Sequence, residues 1–381
     1  MSDWLTAEQA MARLGVRAQT LYAYVSRGRV HAEPDPREPR RRRYRTGDIL
    51  ALTVRKARGR KAADVAEGAI AWGEPVLTSE ITTVADGRLY YRGRDAVWLA
   101  QAETFEGVAR LLRGGGVAIE SRFRAPAPGT STMRARAFAA LAERAAADAP
   151  THGRDFDALS AEAATLLDVI ADAVTGVTQG GAIHERLGRS WGCGRGGCDL
   201  IRRALVLLAD HELNASTFAA RVAASTGASL AASALAGLAA LSGPLHGGLA
   251  ERVKILAVEA RRVGAGEAVA ARLAHWPSAP GFGHPLYPEG DPRARALLEG
   301  FAPSPSLERL GETVEAATGE RANIDFALAA LAETLDLPED APFALFAVAR
   351  CAGWTAHALE QIATGALIRP RARYLGPAPV A

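Results

Sequence analysis

The sequence predicts a mainly α-helical protein in which a small helix-turn-helix piece precedes a much larger helical body, and three observations carry that prediction. From Asp95 onward the chain is rich in Ala, Leu and Arg with Gly or Pro at intervals, a composition that favours helices and offers no alternation of strand and helix. Two short amphipathic segments near the start are joined by a tight glycine turn. Charge is unevenly shared: residues 1–61 hold 15 Lys and Arg against 6 Asp and Glu, although the 381-residue chain carries only +3. The basic surplus therefore sits in the N-terminal piece, which suggests a polyanion partner for that piece and none for the rest.

Taken in order, Thr6-Ala7-Glu8-Gln9 has the capping-box form and opens a helix with Ala10 and Leu14 on one face, stopped by Gly15. A second helix is predicted over about Ala18 to Ser26. It turns Leu21 and Val25 inward and leaves Arg17, Gln19, Thr20, Tyr22 and Arg27 facing out. After Pro34, Pro36 and Pro39 comes the run Arg40-Arg41-Arg42-Arg43-Tyr44-Arg45, and then Asp48, placed as the N-cap of a third helix reaching about Lys61. Within Pro75 to Gly93, Ile81 to Val84 and Leu89 to Tyr91 flank Asp86-Gly87 as a small hairpin. One helix is predicted over Met133 to Ala147, between loop signals and Pro150.

Composition also excludes classes. With 49% hydrophobic and 23% charged residues the chain reads as globular, and three cysteines make no disulfide framework. The most apolar stretch, Leu230 to Leu245, is broken by Gly and Pro and is shorter than the roughly 20 residues a bilayer needs, so no membrane span is expected. Residues 1–25 lack the features of a signal peptide, which points to the cytoplasm. Gly192 to Gly197 satisfies GxGxxG without a preceding strand, so it reads as a loop and not a dinucleotide site. Cys193 and Cys198 have no Cys or His pair at ligand spacing, and no metal is expected.

Residues that move protons or hold anions recur in four places. Asp210-His211-Glu212 follows an apolar helix, Gly243 to Gly248 places His246 among helix breakers, Pro280 to His284 precedes Asp291-Pro292-Arg293, and Asn323-Ile324-Asp325 sits at the mouth of an apolar helix. The glycines around His246 predict backbone amides open to a ligand there. A lone histidine in a helical protein is more often a satisfied core or surface residue than a catalyst. Here the strings resemble those of citrate synthases and 2-methylcitrate synthases: "ADHELNASTFAARVAASTGA", "GPLHGG", "GFGHPLYPEGDPRA" and "NID", in that family's order and spacing. The resemblance runs from about Glu74 to Tyr374 and includes "LYYRGRDAVWLA" and "IRPRARYLGP".

That resemblance implies a large and a small helical domain and a condensation of acetyl-CoA or propionyl-CoA with oxaloacetate, with no other cofactor. It makes Asp325 the base, His246 the donor to the thioester oxygen and His284 the acid at the oxaloacetate carbonyl. It gives His211, Arg293, Arg350 and Arg369 the oxaloacetate carboxylates, with Arg369 reaching in from the other subunit of a homodimer. The stretch Pro285 to Gly290 departs from the pattern, because the family supplies a basic residue there for the CoA phosphates. Residues 1–62 resemble a MerR-like winged helix-turn-helix, which implies that Arg17, Gln19, Thr20 and Tyr22 face a DNA groove while Arg41, Arg42 and Arg43 meet phosphates. For the arginine run alone, a solvated basic linker is the plain alternative. Residues 63–381 are then the catalytic domain, with the small subdomain at roughly 251–345. The competing reading of the whole chain is a transcriptional regulator that uses a synthase fold as a metabolite sensor.

Overall fold

The computed structural model describes residues 4–49 except 15, 17, 27–29, 37 and 39–40, residues 77–115, and residues 132–377 except 179 and 373. Its contacts divide the chain into two units, Met1–Thr78 and Ser79–Ala381.

The first unit holds β1 (Trp4–Thr6), α1 (Ala7–Leu14), α2 (Ala18–Ser26), β2 (Ala32–Pro34) and β3 (Arg42–Arg45). The capping box forms as its residues dictate. Gln9 N–H donates to Thr6 Oγ1 at 3.3 Å and Thr6 N–H to Gln9 Oε1 at 3.0 Å. The strands make an antiparallel sheet in the order β1-β3-β2, with Tyr44 opposite both Leu5 and Ala32. Tyr44, Ala10, Leu14, Leu21, Val30 and Ile49 form the core. The third helix begins earlier than its sequence suggests, since residues 46–49 are already helical. Asp48 is therefore not its cap; its carboxylate accepts the His31 N–H at 2.9 Å and ties the strand connection to the helix start. The remainder of that helix, to Lys61, lies outside the described residues.

The second unit opens with β4 (Thr82–Ala85) and β5 (Arg88–Tyr91), paired with Val84 opposite Leu89, and β6 (Arg94–Asp95) adds a third strand. Its described helices are α3 (Ala96–Ala102), α4 (Phe105–Arg113), α5 (Met133–Ala147), α6 (Phe156–Thr175), α7 (Ile183–Ser190), α8 (Arg195–Leu208) and α9 (Ala215–Ser225). There follow α10 (Leu230–Leu241), α11 (Leu249–Val263), α12 (Ala265–His275), α13 (Pro292–Leu298), α14 (Pro305–Thr318), α15 (Ile324–Thr334) and α16 (Ala341–Thr364). Helix α16 is buried from Ala341 through Leu359. It packs against α4, α6, α8, α9 and α10, the surroundings that a helix apolar on all sides requires.

A second core gathers Val253 and Leu256 of α11, Val269 of α12, Phe282, Leu307 and Leu310 of α14, and Phe326 of α15. The GxGxxG glycines join α7 to α8, helix to helix, without a strand. Among the described residues no helix is long and apolar enough to cross a membrane.

Candidate active site

One face of α16 builds the floor of the site. Arg350, Gly353, Trp354 and His357 stand at positions i, i+3, i+4 and i+7, so they share a side. Arg350 Nε donates to Leu208 O at 3.0 Å, and its guanidinium lies 5.0 Å from the centre of the Phe346 ring. Gly353 has no room for a side chain, because Ala209 O and the Asp210 carboxylate occupy the place of a Cβ; its N–H donates to Ala209 O at 3.1 Å. Trp354 Nε1 donates to Ser216 Oγ at 3.1 Å, and His357 Nε2 lies 3.1 Å from Asp210 Oδ2. The segment 208–217 is thus strapped to α16 at four points. Glu212 fastens it on the other side by accepting the Val84 N–H at 2.6 Å.

The three histidines singled out in the sequence sit around this floor, and burial, the largest cause in each case, keeps all of them neutral. His246 is pushed down to about 4 by burial and then by Arg350, and His284 to about 4 by burial and then by Arg293. His211 is held well below the ordinary range by burial and then by Arg293, Arg350, His284 and His246. The His211 and His284 rings meet edge to face at 5.1 Å. Leu286 N–H donates to His284 Nδ1 at 3.1 Å, so the single proton of that neutral ring is on Nε2. His246 Nε2 lies 2.9 Å from Ser216 Oγ, and its ring meets Phe346 edge to face at 6.0 Å.

The amides near His246 are not open to a ligand. The N–H groups of His246 and Gly248 donate to Gly243 O, and that of Gly247 to Leu241 O at 2.8 Å, because the tight turn after α10 closes on its own carbonyls. The side chain of His246, rather than the glycine backbone, is what this turn presents.

Asp325 is placed by a zipper between two loops. Gly283 N–H donates to Arg321 O at 2.9 Å, Asn323 N–H to Gly281 O at 2.8 Å, and Asn323 Nδ2 to Gly283 O at 2.9 Å. Gly283 has φ of +68°, a conformation that costs other residues strain. Asn323 caps α15 by accepting the Asp325 N–H at 3.0 Å, which puts Asp325 in the first helical turn. A helix N-terminus favours an anion. Burial wins nevertheless: it pushes the Asp325 carboxyl up to about 7, with Asp291 adding to it against Arg293 and Arg350, and Asp325 Oδ1 has no hydrogen-bond partner among the described residues.

The two arginines differ. Arg293 is forked onto Asp291, Nε to Oδ1 at 3.0 Å and Nη2 to Oδ2 at 2.8 Å, and Asp291 also accepts the Ile324 N–H at 3.1 Å. Its charge is therefore half answered within the protein. Arg350 Nη1 is buried and has no partner among the described residues, and burial together with Arg293 brings its guanidinium down to about 10 despite Asp210. Of the two, Arg350 has the freer fork for a carboxylate.

The structure thus gathers His211, His246, His284, Arg293, Arg350 and Asp325. Arg369 is not brought to them within the chain; it is exposed on the segment after α16. In the N-terminal unit Gln19, Thr20 and Tyr22 are exposed on α2, as are Arg41 and Arg42 near the start of β3, while Arg17 lies outside the described residues. Arg41 pairs with Glu38 at 3.0 Å. Arg43 is largely spent inside the fold, with Nε 2.7 Å from Glu33 Oε1 and its guanidinium 4.7 Å from the Trp4 ring centre.

Sequence reasoning missed Ser216, Asp291, Tyr287, Trp354 and His357, although the first three lie inside the strings that drew attention. The Pro285 to Gly290 stretch is met by Arg321 from the α14–α15 connection, whose Nη1 donates to Glu289 O at 3.1 Å.

Comparison with known proteins places the chain in a family. Residues 125–371 match the family model "Citrate synthase, C-terminal domain", and residues 4–53 match "Helix-turn-helix domain". Citrate synthase 2 of Bacillus subtilis is 39% identical over 190 residues, 47% of this chain and 51% of that relative. 2-Methylcitrate synthase 2 of Corynebacterium glutamicum is 36% identical over 186 residues, 46% of this chain and 48% of the relative. The chain therefore spans about half the length of the curated relatives it matches. The crystal structure of citrate synthase from Pyrobaculum aerophilum superposes with a TM-score of 0.67 at 26% identity, covering 83% of this chain and 93% of that one. With well over half of its residues matched by the family model, this chain belongs to the citrate synthase family.

Proposed function

We propose that the chain condenses acetyl-CoA or propionyl-CoA with oxaloacetate and hydrolyses the resulting thioester, giving citrate or 2-methylcitrate and CoA. The observation that carries this reading is the buried Asp325 carboxyl, pushed up to about 7, with Arg350 as a neighbour it shares with neutral His246 and Arg293 as one it shares with neutral His284. A carboxylate with a raised pKa is a stronger base, as removal of a proton from carbon requires. Asp325 takes the α-proton of the thioester while His246 donates to the thioester oxygen as it gains enol character. Ser216 anchors the His246 ring from its Nε2 edge. The Ser216 hydroxyl donates to Asn214 Oδ1 at 2.7 Å and accepts from Trp354 Nε1 at 3.1 Å, which holds its oxygen 2.9 Å from His246 Nε2.

His284, with its proton on Nε2, polarises and protonates the oxaloacetate carbonyl under attack. Arg350, Arg293 and His211 hold the two carboxylates, and Arg369 of a second copy completes the set in a homodimer. Each proton of the condensation step has a side chain to move it, so that step calls on no metal and no cofactor beyond the acyl-CoA. Water then cleaves the thioester, its oxygen bonding the acyl carbon and its protons going to the new carboxyl and the CoA thiolate. The smaller core around Phe282 and Phe326 is the nucleus of a subdomain, at roughly 251–345, that closes over the acyl-CoA in a cytoplasmic enzyme.

The helix-turn-helix piece within the N-terminal unit, residues 1–62, is proposed to bind DNA through exposed Gln19, Thr20 and Tyr22 and through Arg41 and Arg42. Support comes from the helix-turn-helix match and the exposure of those side chains. Mass analysis of the product formed from oxaloacetate with each thioester tests the enzyme reading. Citrate or 2-methylcitrate in amounts that follow enzyme concentration is expected. Recovery of unchanged oxaloacetate with both thioesters overturns it.

A further inference from the structure

Tyr287 touches more of the candidate site than any residue chosen from the sequence. It is 2% exposed, its hydroxyl lies 2.8 Å from His211 Nε2, and its ring meets His211 at 5.6 Å and His284 at 4.9 Å. The Arg293 guanidinium lies 5.5 Å from the same ring centre, and Tyr287 N–H donates to His284 O at 2.9 Å.

Resting on the oxaloacetate reading above, we infer that Tyr287 is a positioning residue that fixes the tautomer of His211 and so sets how the site recognises its oxo-dicarboxylate. A proton count leads there. His211 is neutral beside two arginines and has one ring proton to place, while burial keeps the Tyr287 phenol protonated. Two protons are thus available for one contact. If His211 donated from Nε2, the phenol proton would be buried without an acceptor, since among the described residues the hydroxyl has no other partner. If Tyr287 donates to Nε2, both protons are placed, and the ring proton of His211 goes to Nδ1.

Nδ1 has no hydrogen-bond partner among the described residues and is the nitrogen left for the substrate. Every oxygen of a dianionic oxo acid is an acceptor, so a protonated Nδ1 attracts it and a bare lone pair repels it. Tyr287 acts through His211 and needs no contact with the substrate.

The test is ¹⁵N spectroscopy of histidine-labelled protein without substrate, using His211→Asn to identify the His211 signals among eight histidines. It is joined to oxaloacetate titration of the wild type and of Tyr287→Phe. The wild type should show His211 protonated on Nδ1. Tyr287→Phe should move the proton towards Nε2 and weaken oxaloacetate binding roughly tenfold, the scale of one hydrogen bond to a charged group, with kcat changed about threefold or less.

An Nε2-protonated His211 in the wild type overturns the inference, and so does an unchanged tautomer or an unchanged affinity in Tyr287→Phe. The wild-type tautomer is decisive even if the variant fails to fold. The spectrum needs no turnover, so a chain with Nδ1–H that makes no product counts against the synthase reading and not against this one.

Discussion

Arg42 stands in solvent on strand β3, whereas Arg350 is 1% exposed and its Nη1 has no partner among the described residues. The same contrast runs through the two charged regions of the chain. In the N-terminal unit, Gln19, Thr20, Tyr22, Arg41 and Arg42 lie on the outside of a small core, where water screens each charge and many charges must act together. In the candidate active site Arg293, Asp291 and Asp325 are buried, and each charge is set by a few named neighbours. Substitution of one buried residue should therefore change chemistry by orders of magnitude, whereas substitution of one exposed arginine should change affinity by increments.

The largest separation between the regions is expected from His246→Ala. Loss of the donor to the thioester oxygen should lower kcat roughly 10²- to 10³-fold while DNA binding is unchanged, checked by steady-state rates and a gel shift on the same preparation. A parallel fall in both would break the comparison. Next, Arg350→Lys keeps the charge but removes the fork and its hydrogen bond to Leu208 O. The KM for oxaloacetate should rise roughly 10- to 100-fold, and an unchanged KM would place the carboxylate elsewhere.

The pH profile sharpens the electrostatic half. Asp325 must be ionised to act as a base and its carboxyl sits at about 7, so kcat/KM should fall about tenfold per pH unit below 7 and level off above it. His246 and His284, at about 4, stay neutral across that range and add no second limb. A rate that stays flat down to pH 5 would contradict the assignment.

The smallest effect is expected on the exposed side. Arg41→Ala with Arg42→Ala should reduce the slope of log affinity against log salt by about 2, one for each phosphate that is no longer neutralised, without altering turnover. An unchanged slope would mean that these arginines only solvate the unit.

How far the sequence was legible follows the same division. Helix bounds marked by caps and breakers could be read directly: Ala18–Ser26 and Met133–Ala147 emerge as predicted, and so does the Thr6–Gln9 box. Asp48 misled because an Asp near a helix start is as useful inside the first turn as at the cap, and a hydrogen bond to His31, 17 residues away, decided between them. Five of the six gathered site residues were found through local strings, since each lies beside a turn or cap that its own neighbours encode, whereas Arg350, in the middle of α16, came only from the family resemblance. Trp354 and His357 were not, because on α16 they look like any other residues of a buried helix. Their meaning comes only from Ser216 and Asp210, more than 130 positions away. The amides around His246 failed for a related reason, as glycine permits close approach without saying which carbonyl takes it.

The central claim is that Asp325 is the base of a two-substrate condensation. Free-thiol release from acetyl-CoA and from propionyl-CoA, with and without oxaloacetate, compared between the wild type and Asp325→Asn, tests it most directly. Oxaloacetate-dependent release is expected in the wild type, with the ratio of the two rates giving the preferred thioester. In a folded Asp325→Asn variant it should fall roughly 10²- to 10⁴-fold, because an amide cannot accept the proton. Release that persists in Asp325→Asn, or wild-type release that ignores oxaloacetate, would contradict the claim.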